Sequence, residues 1–134
     1  NNFCMYAKKI KRVNLPNVFK IRDNCLFYAS DLEEIRLDSL VEVGDSFGLA
    51  NKKILKLNMP NVEVIGNNFF KTNREMEFIN IPNAIIIGNR FLEHNEKMTT
   101  IHLPKIATIG YYFMRRNPYL ANFENITKEK VQTK

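Results

Sequence analysis

The chain has 134 residues, a formal net charge of +6 and a hydrophobic content of 45%. At this length it forms one domain without a linker. No apolar run reaches the length of a transmembrane helix and no secretory hydrophobic region is present, which excludes a membrane span but not the earlier removal of a signal.

The strongest signal in the sequence is a repeat of 22 residues. Counting in steps of 22 from Phe3 aligns the chain without an insertion, and apolar residues fall at six positions of each repeat. A unit this short cannot bury an apolar face alone, so it must stack on its neighbours. The sequence therefore predicts a solenoid with a thin continuous core. Two of its apolar positions hold Phe3, Cys25, Phe47, Phe69, Phe91 and Phe113, and Ile21, Val43, Ile65, Ile87 and Ile109.

Each repeat contains one predicted strand. In the repeat with the clearest pattern, Ile79 and Ile81 alternate with Asn80, which is the period of a strand that buries one face. We expect this strand to cover residues 78–81 and its stacked copies to form a parallel sheet. A proline ends it, because proline cannot donate a hydrogen bond to a neighbouring strand. The prolines at this position are Pro16, Pro60, Pro82 and Pro104, and Asp38 replaces proline in the second repeat.

A glycine marks a second corner of the repeat. It occurs as Gly44, Gly66, Gly88 and Gly110, with Arg22 in the first repeat. Glycine here indicates either a positive φ or a close approach of two backbones. The residues that follow, 67–73 in one repeat, lack strand alternation, and a single helical turn is predicted there.

Asparagine recurs at the end of this turn as Asn51, Asn73, Asn95 and Asn117, preceded by Ala7 and Ala29. A side-chain amide both donates and accepts, so stacked asparagines inside a coil can satisfy backbone groups that have no sheet partner. We interpret the column as a structural ladder rather than a ligand site.

The segment 76–91, Met-x-x-Ile-x-Ile-Pro-Asn-Ala-x-x-Ile-Gly-x-x-Phe, resembles a leucine-rich repeat. It is most similar to the bacterial BspA-like type, which usually carries cysteine where this chain has the asparagine column. The resemblance implies an α/β solenoid, mostly β, that forms a right-handed coil. A parallel sheet would line its concave face, with short helical turns or irregular segments on the convex side. It also implies roles in adhesion or protein recognition, often on cell surfaces.

We expect residues 1–126 to form this solenoid as five full repeats and part of a sixth, and residues 127–134 to form a polar tail or cap. The chain starts within a repeat at Asn1 without a methionine, which favours a fragment or a processed form of a longer protein. Cys4 and Cys25 lie at neighbouring positions of successive repeats. We interpret both as small buried hydrophobic residues, with a disulfide as the alternative.

The distribution of charge disfavours nucleic acid as a partner. Residues 3–24 carry +5 and residues 25–46 carry −5. Adjacent strands of a sheet lie about 4.8 Å apart, within a Debye length of about 8 Å, so these two repeats largely cancel at a distance. A surface that follows phosphates would need the same sign in every repeat.

Catalytic and cofactor sites are not indicated. The only histidines, His94 and His102, stand in no spacing with cysteine, serine and carboxylate that suggests a nucleophile and a base. The sequence has neither a metal-ligand cluster nor a phosphate-binding loop. We expect no enzyme activity, no cofactor and no small-molecule substrate.

The outward positions of the predicted strands vary between repeats, and we predict that they form a protein-binding surface on the concave face. Phe78 stands out as an expected exposed aromatic among polar neighbours, which is typical of an interface anchor with a polar rim. The alternative is that Phe78 covers neighbouring aliphatic surface and contacts no partner. The predicted surface consists of Arg12, Asn14, Arg36, Lys56, Asn58, Phe78, Asn80 and His102.

A second candidate interface lies in the first repeats. Two adjacent positions after the phenylalanine column are apolar in the first three repeats and polar in the next three. Demands of the core do not explain this change, so either a preceding segment of the protein packs there or another chain does. The residues concerned are Met5, Tyr6, Phe27, Tyr28 and Leu49.

The sequence therefore favours a non-catalytic protein-recognition or adhesion module that is secreted or on the cell surface, and leaves a cytoplasmic location open. One alternative is a structural spacer within a longer repeat array, with no ligand of its own. Another is a secreted effector that acts on a host protein.

Overall fold

Successive 22-residue repeats form successive turns of a parallel solenoid. The computed structural model describes residues 5–118 and the backbone of residues 122–124. Each turn, here called a rung, contains a three-residue strand, a two-residue strand and a turn segment, and the described part of the chain contains no helix. The predicted, mostly β solenoid is therefore confirmed. The helical turn predicted at residues 67–73 is wrong.

The three-residue strands form the front sheet, which carries the predicted binding surface. The predicted strand at 78–81 is observed at Phe78–Asn80. Neighbouring strands pair in parallel with an offset of 22 residues, but the sheet is interrupted between its second and third strands. The strands are β1 (Arg12–Asn14), β3 (Glu34–Arg36), β5 (Lys56–Asn58), β7 (Phe78–Asn80), β9 (Thr100–His102) and β11 (Asn122–Glu124).

The two-residue strands form a second, uninterrupted sheet of five strands, here called the side sheet. The sequence did not predict it, because two residues are too few to show strand alternation. The sheet bends the chain away from the front sheet after each proline or its replacement. Its strands are β2 (Lys20–Ile21), β4 (Glu42–Val43), β6 (Val64–Ile65), β8 (Ile86–Ile87) and β10 (Thr108–Ile109).

The glycine column follows the side sheet, where the backbones of adjacent rungs are in close contact. A Cβ atom on Gly88 would lie 2.7 Å from the carbonyl carbon of Gly66 and 2.8 Å from the amide nitrogen of Asn67. No real Cβ fits at such distances, so glycine is required by close backbone approach. The alternative prediction, a positive φ at this column, is wrong, since φ at Gly88 lies outside the left-handed region.

Left-handed residues occur instead in the turn segment, at alternate positions. In one rung, Asn68, Phe70 and Thr72 have φ of 56°, 44° and 61°. This backbone directs their amides along the axis of the solenoid. Asn68 donates to the carbonyl of Asn89 at 2.8 Å, and Thr72 donates to that of Glu93 at 2.8 Å, both in the next rung. Phe70 donates backwards to the carbonyl of Phe47 at 2.9 Å. Alternating φ thus joins the turns in both directions and replaces the helix.

The core is continuous from rung to rung and is centred on the phenylalanine column. The rings of Phe69 and Phe91 stack with centroids 5.4 Å apart, and those of Phe91 and Phe113 with centroids 5.3 Å apart. Each buried aromatic ring contributes roughly 1.5–3 kcal/mol by leaving water, with about 0.5–1.5 kcal/mol more from stacking. Cys25 occupies the same column and is buried, as expected. Cys4 lies outside the described residues.

The asparagine column is buried and donates between rungs as predicted. Asn73 is 1% exposed. Its Nδ2 donates to the carbonyl of Gly48 in the preceding rung at 2.9 Å and to that of Lys71 in its own turn at 3.2 Å. The acceptor half of the prediction does not hold, because Oδ1 of Asn73 is buried without a hydrogen-bond partner among the described residues. The ladder therefore works by donation alone.

A second polar ladder, which the sequence analysis missed, follows the glycine column. Oδ1 of Asp45 accepts from the backbone amide of Asn67 at 2.7 Å, and Oδ1 of Asn67 accepts from that of Asn89 at 2.7 Å. It ends when Asn89 accepts from the amide of Tyr111 at 2.8 Å, because tyrosine has no carbonyl oxygen in its side chain. The signal in the sequence was the recurring pair of glycine followed by aspartate or asparagine.

Replacing Asn73 with alanine should lower the free energy of unfolding by about 1–3 kcal/mol, the usual effect of leaving buried polar groups without partners. The measurement is urea denaturation followed by circular dichroism. Asn14→Ala, at an exposed position of β1, is the control and should leave the midpoint unchanged. Equal midpoints for Asn73→Ala and the original chain would contradict a structural ladder.

Candidate functional site

The strands β5, β7 and β9 of the front sheet bring five of the predicted binding residues into one surface. Its strands alternate inward and outward side chains, so the first and third residue of each strand face away from the core. Parallel register places Lys56 opposite Phe78, and Asn80 opposite both Asn58 and His102. Nδ2 of Asn80 donates to Oδ1 of Asn58 at 2.9 Å, which fixes the two side chains together. Register therefore brings these five predicted residues together.

Phe78 is half-buried rather than fully exposed as expected. It lies between Lys56 on one side and Thr100 on the other. Lys56 is exposed, whereas Phe78 is partly covered by its neighbours. A half-buried ring is held in place, which lowers the entropy lost on contact with a partner. The geometry is compatible with an anchor and also with the alternative that the ring covers neighbouring surface.

The first two strands contribute Arg12, Asn14 and Arg36, all exposed. Arg12 lies 3.7 Å from Glu34, and Asn14 is opposite Arg36 in the register. On the side sheet, Lys20 lies 2.7 Å from Glu42. Opposite charges of the first two rungs therefore meet directly, which supports the expected cancellation.

The second candidate interface is an aromatic cluster that packs on itself. The ring of Phe27 meets those of Tyr6 and Tyr28 edge-on, with centroids 5.7 and 4.6 Å away, and the two tyrosines stack 5.7 Å apart. Tyr6 is 54% exposed and Tyr28 is 42% exposed, while Met5 and Leu49 are half-buried. The cluster thus leaves two aromatic rings in contact with solvent. Packing by a preceding segment or by another chain both remain predictions.

In the later rungs the same positions form a charged cluster. Glu93 is 4% exposed, and its Oε2 lies 3.1 Å from Nζ of Lys71, while its Oε1 lies 3.9 Å from Arg115. The guanidinium of Arg115 also lies over the ring of Tyr112, 5.0 Å from its centroid. Oε2 makes no well-aligned hydrogen bond, so its contact with Lys71 is mainly electrostatic. One buried carboxylate between two cations replaces the apolar contacts of the first rungs.

His94 adjoins this cluster, with Nε2 3.9 Å from Glu93. Burial lowers the pKa of His94 below its ordinary value, Glu93 opposes the change, and Arg116, Lys71 and Arg115 add to it. The neutral imidazole is therefore favoured in the folded protein. His102, by contrast, lies on the front sheet, so the two histidines are on different sides of the solenoid.

Exposed apolar side chains that sequence reasoning missed lie along the outer face of the side sheet. Ile85 is 40% exposed and Ile86 is 45% exposed. Phe19, at the start of the same face, is 66% exposed. A signal was present, because only one residue of the run Ile85-Ile86-Ile87 occupies a core position of the repeat.

The described residues contain no group of three or more histidines, cysteines, aspartates and glutamates placed to hold a metal ion. In the same part of the chain, no helix is long and apolar enough to cross a membrane.

Glu93→Ala should destabilise the fold by about 2 kcal/mol, because it leaves Lys71 and Arg115 partly buried without their anion. Glu75→Ala is the matched control, since Glu75 pairs with Lys97 at 2.6 Å on the exposed surface and such pairs contribute little. Urea denaturation at neutral pH measures both. If the two variants lose equal stability, the buried cluster has no special role.

Protonation of His94 should destabilise the fold. Since its pKa is lowered in the folded state, the unfolded chain binds the proton more tightly, and stability falls as pH drops below about 6.5. His94→Asn removes this titration, and asparagine tolerates the left-handed backbone at this position. Denaturation midpoints at pH 7.5 and pH 5 should differ less for His94→Asn than for the original chain. An unchanged difference would contradict the assignment.

Comparison with known families identifies the repeat. The family model described as the BspA type leucine-rich repeat region matches residues 1–127 with 6 copies. Neither the curated proteins nor the solved structures include a match to this chain. The match covers almost the whole solenoid and agrees with its parallel strands and period. The chain therefore belongs to the BspA-type leucine-rich repeat family.

Proposed function

We propose that the chain is a non-catalytic module that recognises a protein partner through the outward side chains of the front sheet. The observation that carries this proposal is the contrast between the two faces of the same strands. Inward residues such as Leu57, Ile79 and Ile101 are uniformly aliphatic and at most 1% exposed. Outward residues at the paired positions change from lysine to phenylalanine to threonine. The solenoid does not require this variation, so it is available for recognition.

Phe78 and Lys56 are the proposed centre of the interface. Interface hot spots are enriched in large aromatic side chains surrounded by polar groups that exclude water. Phe78 has Lys56 opposite it, and the hydrogen-bonded pair Asn58 and Asn80 lies two residues further along the same strands. A half-buried ring beside a hydrogen-bonded polar pair is compatible with such an anchor and supports this proposal.

Family membership supports a location outside the cell. Proteins with BspA-type repeats are often on the surface of bacteria or secreted, and leucine-rich repeats generally mediate protein contacts rather than chemistry. We propose adhesion or recognition at the cell surface as the setting in which the front sheet acts.

The test begins by capturing a partner on the immobilised chain and identifying it. The double variant Phe78→Ala, Lys56→Ala should then bind this partner at least about tenfold more weakly, which corresponds to about 1.4 kcal/mol. Thr108→Ala on the exposed face of the side sheet is the control and should leave affinity unchanged. Affinity is measured by surface plasmon resonance, with circular dichroism to check the fold. A partner that binds the double variant as tightly as the original chain would remove Phe78 and Lys56 as the interface, and failure to capture any partner would favour a structural spacer.

A further inference from the structure

The front sheet opens at one place, between β3 and β5. These two strands are not paired, whereas β1 pairs with β3 and β5 pairs with β7. The same two rungs are joined on their other sides. In the side sheet, Gly66 donates to the carbonyl of Val43 at 2.9 Å, and in the turn Ser46 donates to that of Asn67 at 2.7 Å. The rungs therefore separate on the front alone.

The opening leaves main-chain groups without their usual partners. In the next rung pair, the carbonyl of Leu55 accepts from the amides of Glu77 at 2.8 Å and Phe78 at 3.3 Å. The equivalent groups at the opening are the carbonyl of Glu33 and the amides of Leu55 and Lys56. No backbone hydrogen bond joins them, although all three residues are described and exposed. One acceptor and two donors therefore face each other across a gap.

The gap is a crevice of about 620 Å³ whose lining includes two aliphatic residues, Ile35 and Leu55. Ile35 is 9% exposed, whereas Ile79 and Ile101 at the equivalent position are at most 1% exposed. Leu55 lines one wall and is 48% exposed. An aliphatic side chain entering from solvent would thus find apolar contacts beside the unpaired main-chain groups.

The charges around the crevice are balanced. Arg12 lies 3.7 Å from Glu34 across β1 and β3, and Lys53 lies 3.0 Å from Asp31. The hydrogen bond with Asp31 raises the pKa of Lys53, so this lysine stays protonated. Lys56 and Glu33 add one charge of each sign to the lining. The rim therefore favours a neutral ligand with hydrogen-bonding groups over an ion.

We propose that this crevice binds the main chain of an extended segment of a protein partner. The segment's carbonyl accepts from the amides of Leu55 and Lys56, its N–H donates to the carbonyl of Glu33, and an aliphatic side chain covers Ile35. This deepens the proposed recognition by the front sheet and rests on it. A complete inserted strand would need flanking strands about 9.6 Å apart, twice the normal spacing. Since the side sheet holds the rungs together, the segment binds at the mouth of the crevice.

Amide hydrogen exchange of the ¹⁵N-labelled chain tests whether the sheet is open. The amides of Leu55 and Lys56 should exchange at least about tenfold faster than those of Glu77 and Phe78, the equivalent amides of a closed rung pair. Equal, slow exchange at both pairs would show a closed sheet and overturn the proposal.

Titration with the blocked tripeptide acetyl-Thr-Val-Thr-amide tests the ligand. We expect saturable changes in chemical shift at Ile35, Leu55 and Lys56. Binding should be at least about tenfold weaker for the same peptide with its valine nitrogen methylated, which removes the N–H of the residue whose side chain covers Ile35 and which we expect to donate to Glu33. Leu55→Ala should weaken binding, and Glu77→Ala, its counterpart on a closed rung, should not. No saturable change, or equal binding of the methylated peptide, overturns the proposal. Since neither peptide requires Phe78, that failure would leave the wider proposal of front-sheet recognition standing.

Discussion

Hydrogen bonding between successive rungs at a fixed offset of 22 residues is the constraint on which the rest of the structure depends. Side strands and turn segments bond to the corresponding segments of the next rung, and so do the front strands except between β3 and β5. An insertion of one residue would break the register on all three sides together, which explains why the repeats align without one. Because each position meets the same environment in every rung, core residues recur in columns.

The turn segments satisfy this constraint at a conformational cost. A left-handed residue other than glycine costs roughly 1–2 kcal/mol, and three such residues, Asn68, Phe70 and Thr72, occur in one turn segment. Without these acceptors the amides, which belong to buried or partly buried residues, would have no partner within the protein, which carries a comparable penalty where water is excluded. Donation to the neighbouring rungs offsets the strain, and the buried Nδ2 of Asn73 adds a hydrogen bond to the carbonyl of Gly48 in the preceding rung. The strained turn can therefore repeat, because each copy supplies carbonyl groups that accept hydrogen bonds from the amides of the neighbouring copies.

Much of this architecture could be predicted from the sequence, because a pattern that is weak in one repeat becomes clear when it recurs at the same position of every repeat. The inward alternation of Ile79 and Ile81 predicted the front strand to within one residue. Asn73 was recognised as a ladder residue. The turn was mistaken for a helix because a run such as 67–73 shows neither strand alternation nor any sign of alternating φ. The exposure of Phe78 was overestimated. Strand alternation predicts that its side chain points away from the core, but it does not predict how much of the ring the side chains of neighbouring rungs cover.

The candidate sites lie where one repeat differs from the others in sequence or in strand pairing. Recognition is proposed at Phe78, where the outward column turns aromatic, and at the crevice beside Leu55, where the sheet itself opens. Sequence reasoning located the first of these but not the second, because the strands on both sides of the opening have ordinary patterns.

The central claim is that the turn segments are joined between rungs as firmly as the strands are. Native-state hydrogen exchange at residue resolution tests it most directly. We predict that the amides of Asn68, Phe70 and Thr72 exchange as slowly as those of Gly66 and Gly88. The two glycine amides donate to carbonyl groups of the neighbouring strand of the side sheet. Rapid exchange of these turn amides, with only the sheet amides protected, would contradict it.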